Sequence, residues 1–234
     1  MTIRGHVAAA AAATVLLAGC GGGGDGGGLV GNLSSAPGEP ALSAYLQASH
    51  QGTLNASYLG DSYELQFSSV PNAGTTTFEG FAPAYSVVQT VTLKQNGQLL
   101  ANDASTVYFA LNPYEPLGVV SSGGTPYAVV TSSSPLPATI NVGESGAFDS
   151  MTYYHDSSKA VMDADETVSY SVTANNSTTL LLCLNFTIAN VTAQGTLDGM
   201  DNGTEKDCYT VNAAGSAALV SVAVMAGGTT LTFN

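Results

Sequence analysis

From Ser62 to Phe67 polar and apolar positions alternate, with Tyr63, Leu65 and Phe67 on one side and Ser62, Glu64 and Gln66 on the other. A period of two is the mark of a β-strand with one buried and one wet face. The same period returns in "TVSYSVTA", where Val168, Tyr170, Val172 and Ala174 share a face, and in "TLLLCLNFTI", where Leu180, Leu182, Leu184, Phe186 and Ile188 do. The intervening "NNST" turns one run back on the other, so these two runs form an antiparallel hairpin. In "VVQTVTLKQNGQLLA" Asn96 and Gly97 occupy the two positions where a type I′ turn requires positive φ. "STVYFALNP" and "PYAVVTS" add strands, and "LVSVAVM" and "TTLTFN" flank the turn pair Gly227 and Gly228. In the last run Leu231 and Phe233 alternate as core residues. Many short strands with frequent turn signals predict an all-β fold, an antiparallel sandwich or barrel.

The period changes only near the start. In "PALSAYLQASHQG" Pro40 suits a first helical turn, Leu42, Tyr45 and Leu46 fall at helical spacing, and Gly52 is a stop signal, which predicts one short helix. The glycine-rich segment before it, through residue 40, offers too little apolar surface to offset the entropy of ordering it and is expected to be a disordered tether. "SSSPLP", Ser132 to Pro137, is the strongest internal break, because proline cannot donate to a sheet. Two packed β subdomains, 41–134 and 135–234, are therefore expected.

The first twenty residues have a separate logic. Arg4 precedes an apolar run from Val7 to Leu17, and the small residues Ala18 and Gly19 follow. This is the order of a secretory signal peptide, and the run is too short for a bilayer core that needs ~20 residues. "LAGC", Leu17 to Cys20, resembles the lipobox of bacterial lipoproteins. The resemblance implies that residues 1–19 are a signal peptide removed on export, that Cys20 is lipidated, and that 20–40 tether the folded part to a membrane. Gly21, rather than aspartate, follows the cysteine. In enteric-type lipoproteins that choice implies the outer membrane over the inner one.

Charge narrows the partners. Only 9% of residues are charged and the formal net charge is −13. Beyond the leader, Lys94, Lys159 and Lys206 are the only lysines or arginines. Nucleic acid, whose affinity rests on many cationic contacts to phosphate, is a poor partner. The expected partners are the membrane, through the lipid, and an envelope or extracellular ligand. No cofactor is implied.

Cys183 and Cys208 are an even pair in a chain read as exported, where oxidation is permitted. Both fall out of phase with the apolar faces of their strands, so a disulfide between neighbouring segments is expected. Closing the loop stabilises by about 3 to 4 kcal/mol through chain entropy.

Catalytic patterns are sparse. Ser145 in "VGESGAF" and the nearby His155 and Asp156 suggest a serine hydrolase, but the spacing fails G-x-S-x-G, and a turn serine and a solvated histidine are the plainer reading. His50 is the other histidine of the mature chain. "DADE" from Asp163 and "DGMDNGTEKD" from Asp198 supply weak calcium candidates in Asp198, Asp201 and Asp207. Their ligand order does not match an EF-hand, so no metal site is assigned. Tyr108, Tyr114, Tyr127, Tyr153 and Tyr154 suit sheet packing better than sugar stacking. Two function classes follow: a tethered binding or structural module, which is preferred, and a carboxylate-dependent hydrolase or carbohydrate-active enzyme of the envelope using groups such as Glu144, Asp149, Asp156 or Asp163, since paired carboxylates alone can cleave glycosides.

Overall fold

Alternation along each strand decides which side chains face inward, and the turns decide which strands become neighbours. The computed structural model describes residues 32–226 and 228–234. The chain enters as β1 (Ser35–Pro37) and helix α1 (Glu39–Leu46), then runs up and down through β2 (His50–Tyr58), β3 (Asp61–Pro71), a short flap strand β4 (Thr76–Phe78), β5 (Phe81–Gln95), β6 (Gln98–Ala110), β7 (Glu115–Ser121) and β8 (Tyr127–Ser133). It continues through β9 (Thr139–Asn141), β10 (Ser145–Tyr154), β11 (Met162–Ala174), β12 (Thr179–Ala189), helix α2 (Ala193–Leu197), β13 (Gly203–Asn212), β14 (Ala217–Ala226) and β15 (Thr229–Phe233).

Twelve strands form one antiparallel sheet in the order β15-β14-β13-β12-β11-β10-β8-β7-β6-β5-β3-β2. The sheet curls until its ends meet, where Asn55 and Asn234 exchange two backbone hydrogen bonds of 3.0 Å. The result is a nearly closed barrel, all-β as the patterning predicts. β1 and β9 form a separate two-stranded sheet. Because the strands run up and down, one rim carries β1, α1 and the 134–144 and 175–178 connections. The other carries the turns at Leu59, Asn96, His155 and α2. We refer to these as the proximal and distal rims.

Tyr63, Leu65 and Phe67 point inward and are buried, as are Val168, Tyr170 and Val172 opposite Phe186, Leu184 and Leu182, with Tyr209 and Val211 one strand further. All belong to one core that draws on both halves of the chain. The outward positions of the same strands, such as Glu64, Asn185 and Lys206, are polar. This apolar-in, polar-out arrangement is the reverse of a lipid-facing barrel.

Several sequence expectations are met in detail. Asn96 and Gly97 have φ of 51° and 77°, as a type I′ turn needs. Cys183 and Cys208 lie directly opposite on β12 and β13 and are joined by a disulfide. They occupy the outward phase, yet both sulfur-bearing residues are covered.

Three expectations are corrected or refined. Helix α1 forms where predicted, with Pro40 in its first turn, but it ends at Leu46 with Gln47 as its cap, and Gly52 does not stop it. Gly52 lies within β2 opposite Phe67, where a Cβ would fall 2.4 Å from the ring. The tether does not extend to residue 40. Leu33 packs on the core, Ala36 is buried and β1 pairs with β9. Cys20, the leader and the first part of the tether lie outside the described residues. Finally, Ser132 to Pro137 does not separate two sheets. β8, which runs into its first two serines, pairs with β10 after it, so 41–134 and 135–234 share one sheet.

β4 folds back on β5 and lays Phe78 against the outside of the barrel, stacked on Tyr108 at 4.3 Å. With Ala84 and Tyr127 it makes a small second apolar cluster. Gly118 creates the space, since a Cβ there would lie 2.7 Å from the Phe78 ring and 2.2 Å from the Ala128 carbonyl.

Phe233, 0% exposed at the closing strand, tests this layout. Phe233→Ala should cost about 3 to 5 kcal/mol in chemical denaturation. Truncation at residue 41 should also lower the melting temperature, because it removes β1 and the start of α1. An unchanged melt after that cut would show that β1 adds nothing to the fold.

Candidate functional site

Four carboxyl groups sit at inward, buried positions of the barrel wall: Asp149 on β10, Glu166 on β11, and Glu205 and Asp207 on β13. Each is in phase with apolar neighbours of its own strand, Asp149 with Met151 and Tyr153, Glu166 with Val168 and Tyr170, and the β13 pair with Tyr209 and Val211. Lys94 and Lys159 are instead paired outside, with Glu64 and Glu79, and Lys206 is exposed.

Burial without a cation disfavours the charged form. It pushes Asp149 up to about 7, and burial together with the Asp149 carboxyl pushes Glu166 up to about 8. Glu205 and Asp207 are both raised well above the ordinary carboxylate range, chiefly by burial, and the neighbouring Asp207 carboxyl pushes Glu205 up further. Tyrosines cap the array. The Tyr153 hydroxyl donates to Glu166 at 3.3 Å, Tyr45 of α1 lies beside Asp207, and Tyr114 beside Asp149. Tyr45 also stacks on His50 at 4.0 Å, and His50 Nε2 lies 2.9 Å from the Tyr45 carbonyl.

A second polar line continues across neighbouring strands. Ser69, Gln89, Ser105 and Ser121 occupy successive cross-strand pairs on β3, β5, β6 and β7, all buried. Both side-chain polar atoms of Gln89, both Asp207 oxygens and the Tyr45 hydroxyl have no conventional hydrogen-bond partner. Such groups cost stability and are retained only where something outweighs the loss.

At the distal rim His155 Nδ1 donates to Asp198 Oδ2 at 2.7 Å, and Gln194 Nε2 donates to both Asp198 oxygens at 3.1 Å. Burial raises Asp198, but the bonds from His155 and Gln194 hold it below the ordinary range, and Asp198 in turn raises His155. Asp163 is covered by α2, with Gly195 so close that a Cβ would meet the Asp163 carbonyl at 2.4 Å. Burial and the Asp198 charge push Asp163 up to about 6. An aspartate-oriented histidine is the base half of a catalytic triad. Ser145, however, opens β10 at the proximal rim while His155 follows its distal end, about 30 Å away at ~3.3 Å per residue. The Ser145, His155 and Asp156 constellation does not assemble.

The calcium candidates do not converge either. Asp198 serves His155 at the rim, Asp207 lies inside the barrel, and Asp201 stands in the loop between them. Among the described residues no group of three or more His, Cys, Asp or Glu side chains is placed to hold a metal ion. The four glycosidase candidates are also dispersed: Glu144 in a proximal turn bonded to Asn141 and Tyr170, Asp149 inside, Asp156 in a distal turn bonded to Ser158, and Asp163 under α2. Tyr114 and Tyr153 are core residues, and Tyr108 and Tyr127 pack beneath the flap, as expected.

Two grooves mark the outer wall. One of about 430 Å³ is polar, lined by Gln51, Thr53, Gln66, Ser68, Thr90 and Thr92 together with Gly52 and Phe67. The other, about 470 Å³, runs between the flap and the outer face of β7 and β8. Sequence reading missed this second groove and missed Glu166 and Glu205. The latter two were detectable as charges at the apolar phase of a strand. No family model matches the chain, and no curated protein or solved structure matches it at significance.

The interior array fixes a sign for the pH dependence. Asp149 and Glu166 have folded-state pKa values above their unfolded values of ~3.9 and ~4.3, so their stabilisation is complete below about pH 4 and is lost as pH rises through about 7 and 8. Glu79 and Asp198 are held low and act oppositely, losing stabilisation only as pH falls through the acid range. Stability should therefore fall between pH 5 and 8. Asp149→Asn and Glu166→Gln should flatten that slope and raise the melting temperature at pH 8. Parallel slopes in variants and parent would refute the assignment.

Proposed function

We propose that the chain is a binding or structural module of the bacterial cell envelope, anchored through a lipid on Cys20, with the outer membrane favoured by Gly21. The supporting sequence is "LAGC" with the glycine tract behind it. The observation that carries the binding reading is that side chains fill the barrel core while the outer wall bears a groove edged by Phe81, which is 41% exposed. A filled interior leaves the outer wall and rims as the recognition surface. The described chain begins at the proximal rim, so a membrane anchor would lie on that side and the His155 rim would face away.

Labelling with a palmitate analogue in a bacterial host tests the anchor. Label should enter the parent and be absent from Cys20→Ala, which should be released from the membrane fraction with its melting temperature unchanged. Equal labelling of the two would refute the lipid anchor.

A further inference from the structure

β7 and β8 pair only at Gly118 with Val129, Val119 with Ala128 and Val120 with Tyr127. Towards the proximal rim they part. Glu115 and Pro116 keep β6 as their strand neighbour, and Val130, Ser132 and Ser133 keep β10. The groove of about 470 Å³ lies along this divergence, with Glu115, Pro116 and Leu117 on one side and Val129 to Ser133 on the other. Its volume is in the range of ligand sites, roughly 300 to 1,000 Å³.

The third wall is the flap, held in place from both sides. Tyr127 donates its hydroxyl to Glu79 at 2.6 Å, Lys159 forms an ion pair with Glu79, and Phe78 is wedged on Tyr108 over Gly118. Phe81 stands exposed at the groove's mouth. Glu79 is thus neutralised by Lys159, whereas the Glu115 carboxylate has no hydrogen-bond or ion-pair partner among the described residues. On the opposite wall Ser133 Oγ is covered and unpartnered.

We propose that this groove takes an extended, basic segment of a partner protein by strand addition to the free edge of β8. The reading rests on the binding-module function and names its ligand class. A free strand edge offers backbone donors and acceptors in the order that another strand presents them. β8 is the better template of the two, because Val130 to Ser133 all carry an N–H, those that point away from β10 being open to a new strand, while Pro116 on β7 carries none. Apolar side chains of the guest rest on Leu117 and Val129 and against Phe81. A lysine or arginine meets the unpaired Glu115, and the protein's net charge of −13 favours a cationic partner.

The probe is a fluorescein-labelled, capped hexapeptide of alternating valine and lysine, added to the full chain purified in detergent. Anisotropy should show saturable binding. N-methylation of alternate peptide amides should weaken it by about tenfold or more, since it removes the backbone donors without altering the protein. Replacing the peptide lysines by glutamate, or making Glu115→Gln, should weaken it in the same direction. Hydrogen exchange should slow on binding at those amides of Val130 to Ser133 that point away from β10. Absence of binding, equal binding of the N-methylated peptide, or no added protection at those amides would each overturn the proposal. Protection of the same amides by a chitin hexasaccharide, with none by the peptide, would assign the groove to sugar instead. Cys20→Ala retains the groove, so failure of palmitate labelling and failure of peptide binding are separate results.

Discussion

A sheet of twelve strands closed on itself encloses more space than the eight-strand barrels whose own side chains just fill them. Filling that space is the constraint on which the rest of the structure depends. It accounts for the large inward residues, Tyr114, Tyr153, Tyr209, Phe109 and Phe233, each less than 2% exposed. It also accounts for α1, whose Leu42, Tyr45 and Leu46 are buried in the same core and whose Tyr45 ring meets Tyr209 edge-on at 5.6 Å. A helix that would be marginal alone at eight residues is held by that packing. β15 spans only Val222 to Ala226 of its neighbour β14, and α1 packs near β14.

The same demand for volume sets the chemistry of the interior. Asp149, Glu166, Glu205 and Asp207 supply bulk at core positions, and they do so as acids rather than as anions, because among the described residues no lysine or arginine shares the core with them. Protonation and the Tyr153 hydroxyl, which donates to Glu166, stand where ion pairs would otherwise be. The cost of such groups makes the barrel's stability a function of pH, while the few cations are spent outside, where Lys159 fixes the flap through Glu79. The flap in turn makes one wall of the groove beside the parted ends of β7 and β8. Core chemistry and surface recognition are thus separated by the sheet, since successive residues of a strand face opposite sides.

How far the sequence could be read depends on whether the physics at a position is local. Alternation is local, so the β class, the inward faces of β3, β11 and β12, the Asn96-Gly97 turn and the pairing of Cys183 with Cys208 were all legible. The interior carboxyls were legible in principle, for each breaks an apolar phase, but acidic runs such as "DADE" read equally well as solvated turns. Gly52 misled because a glycine that stops a helix and a glycine that admits the Phe67 ring look the same until the opposite strand is known.

What the sequence by itself determined was therefore the all-β class, many of the strands with their phase, and the cysteine pair able to cross-link. Tertiary structure alone decided that the two halves share one sheet, that Leu33 to Pro37 belong to the fold, and that Ser145 and His155 lie at opposite rims. It also decided where β7 and β8 part and what the flap covers. The reason is one of range. A period of two is set by backbone geometry between adjacent residues, whereas closure, filling of the interior and the opening of a groove depend on groups far apart in the chain that only the completed sheet brings together.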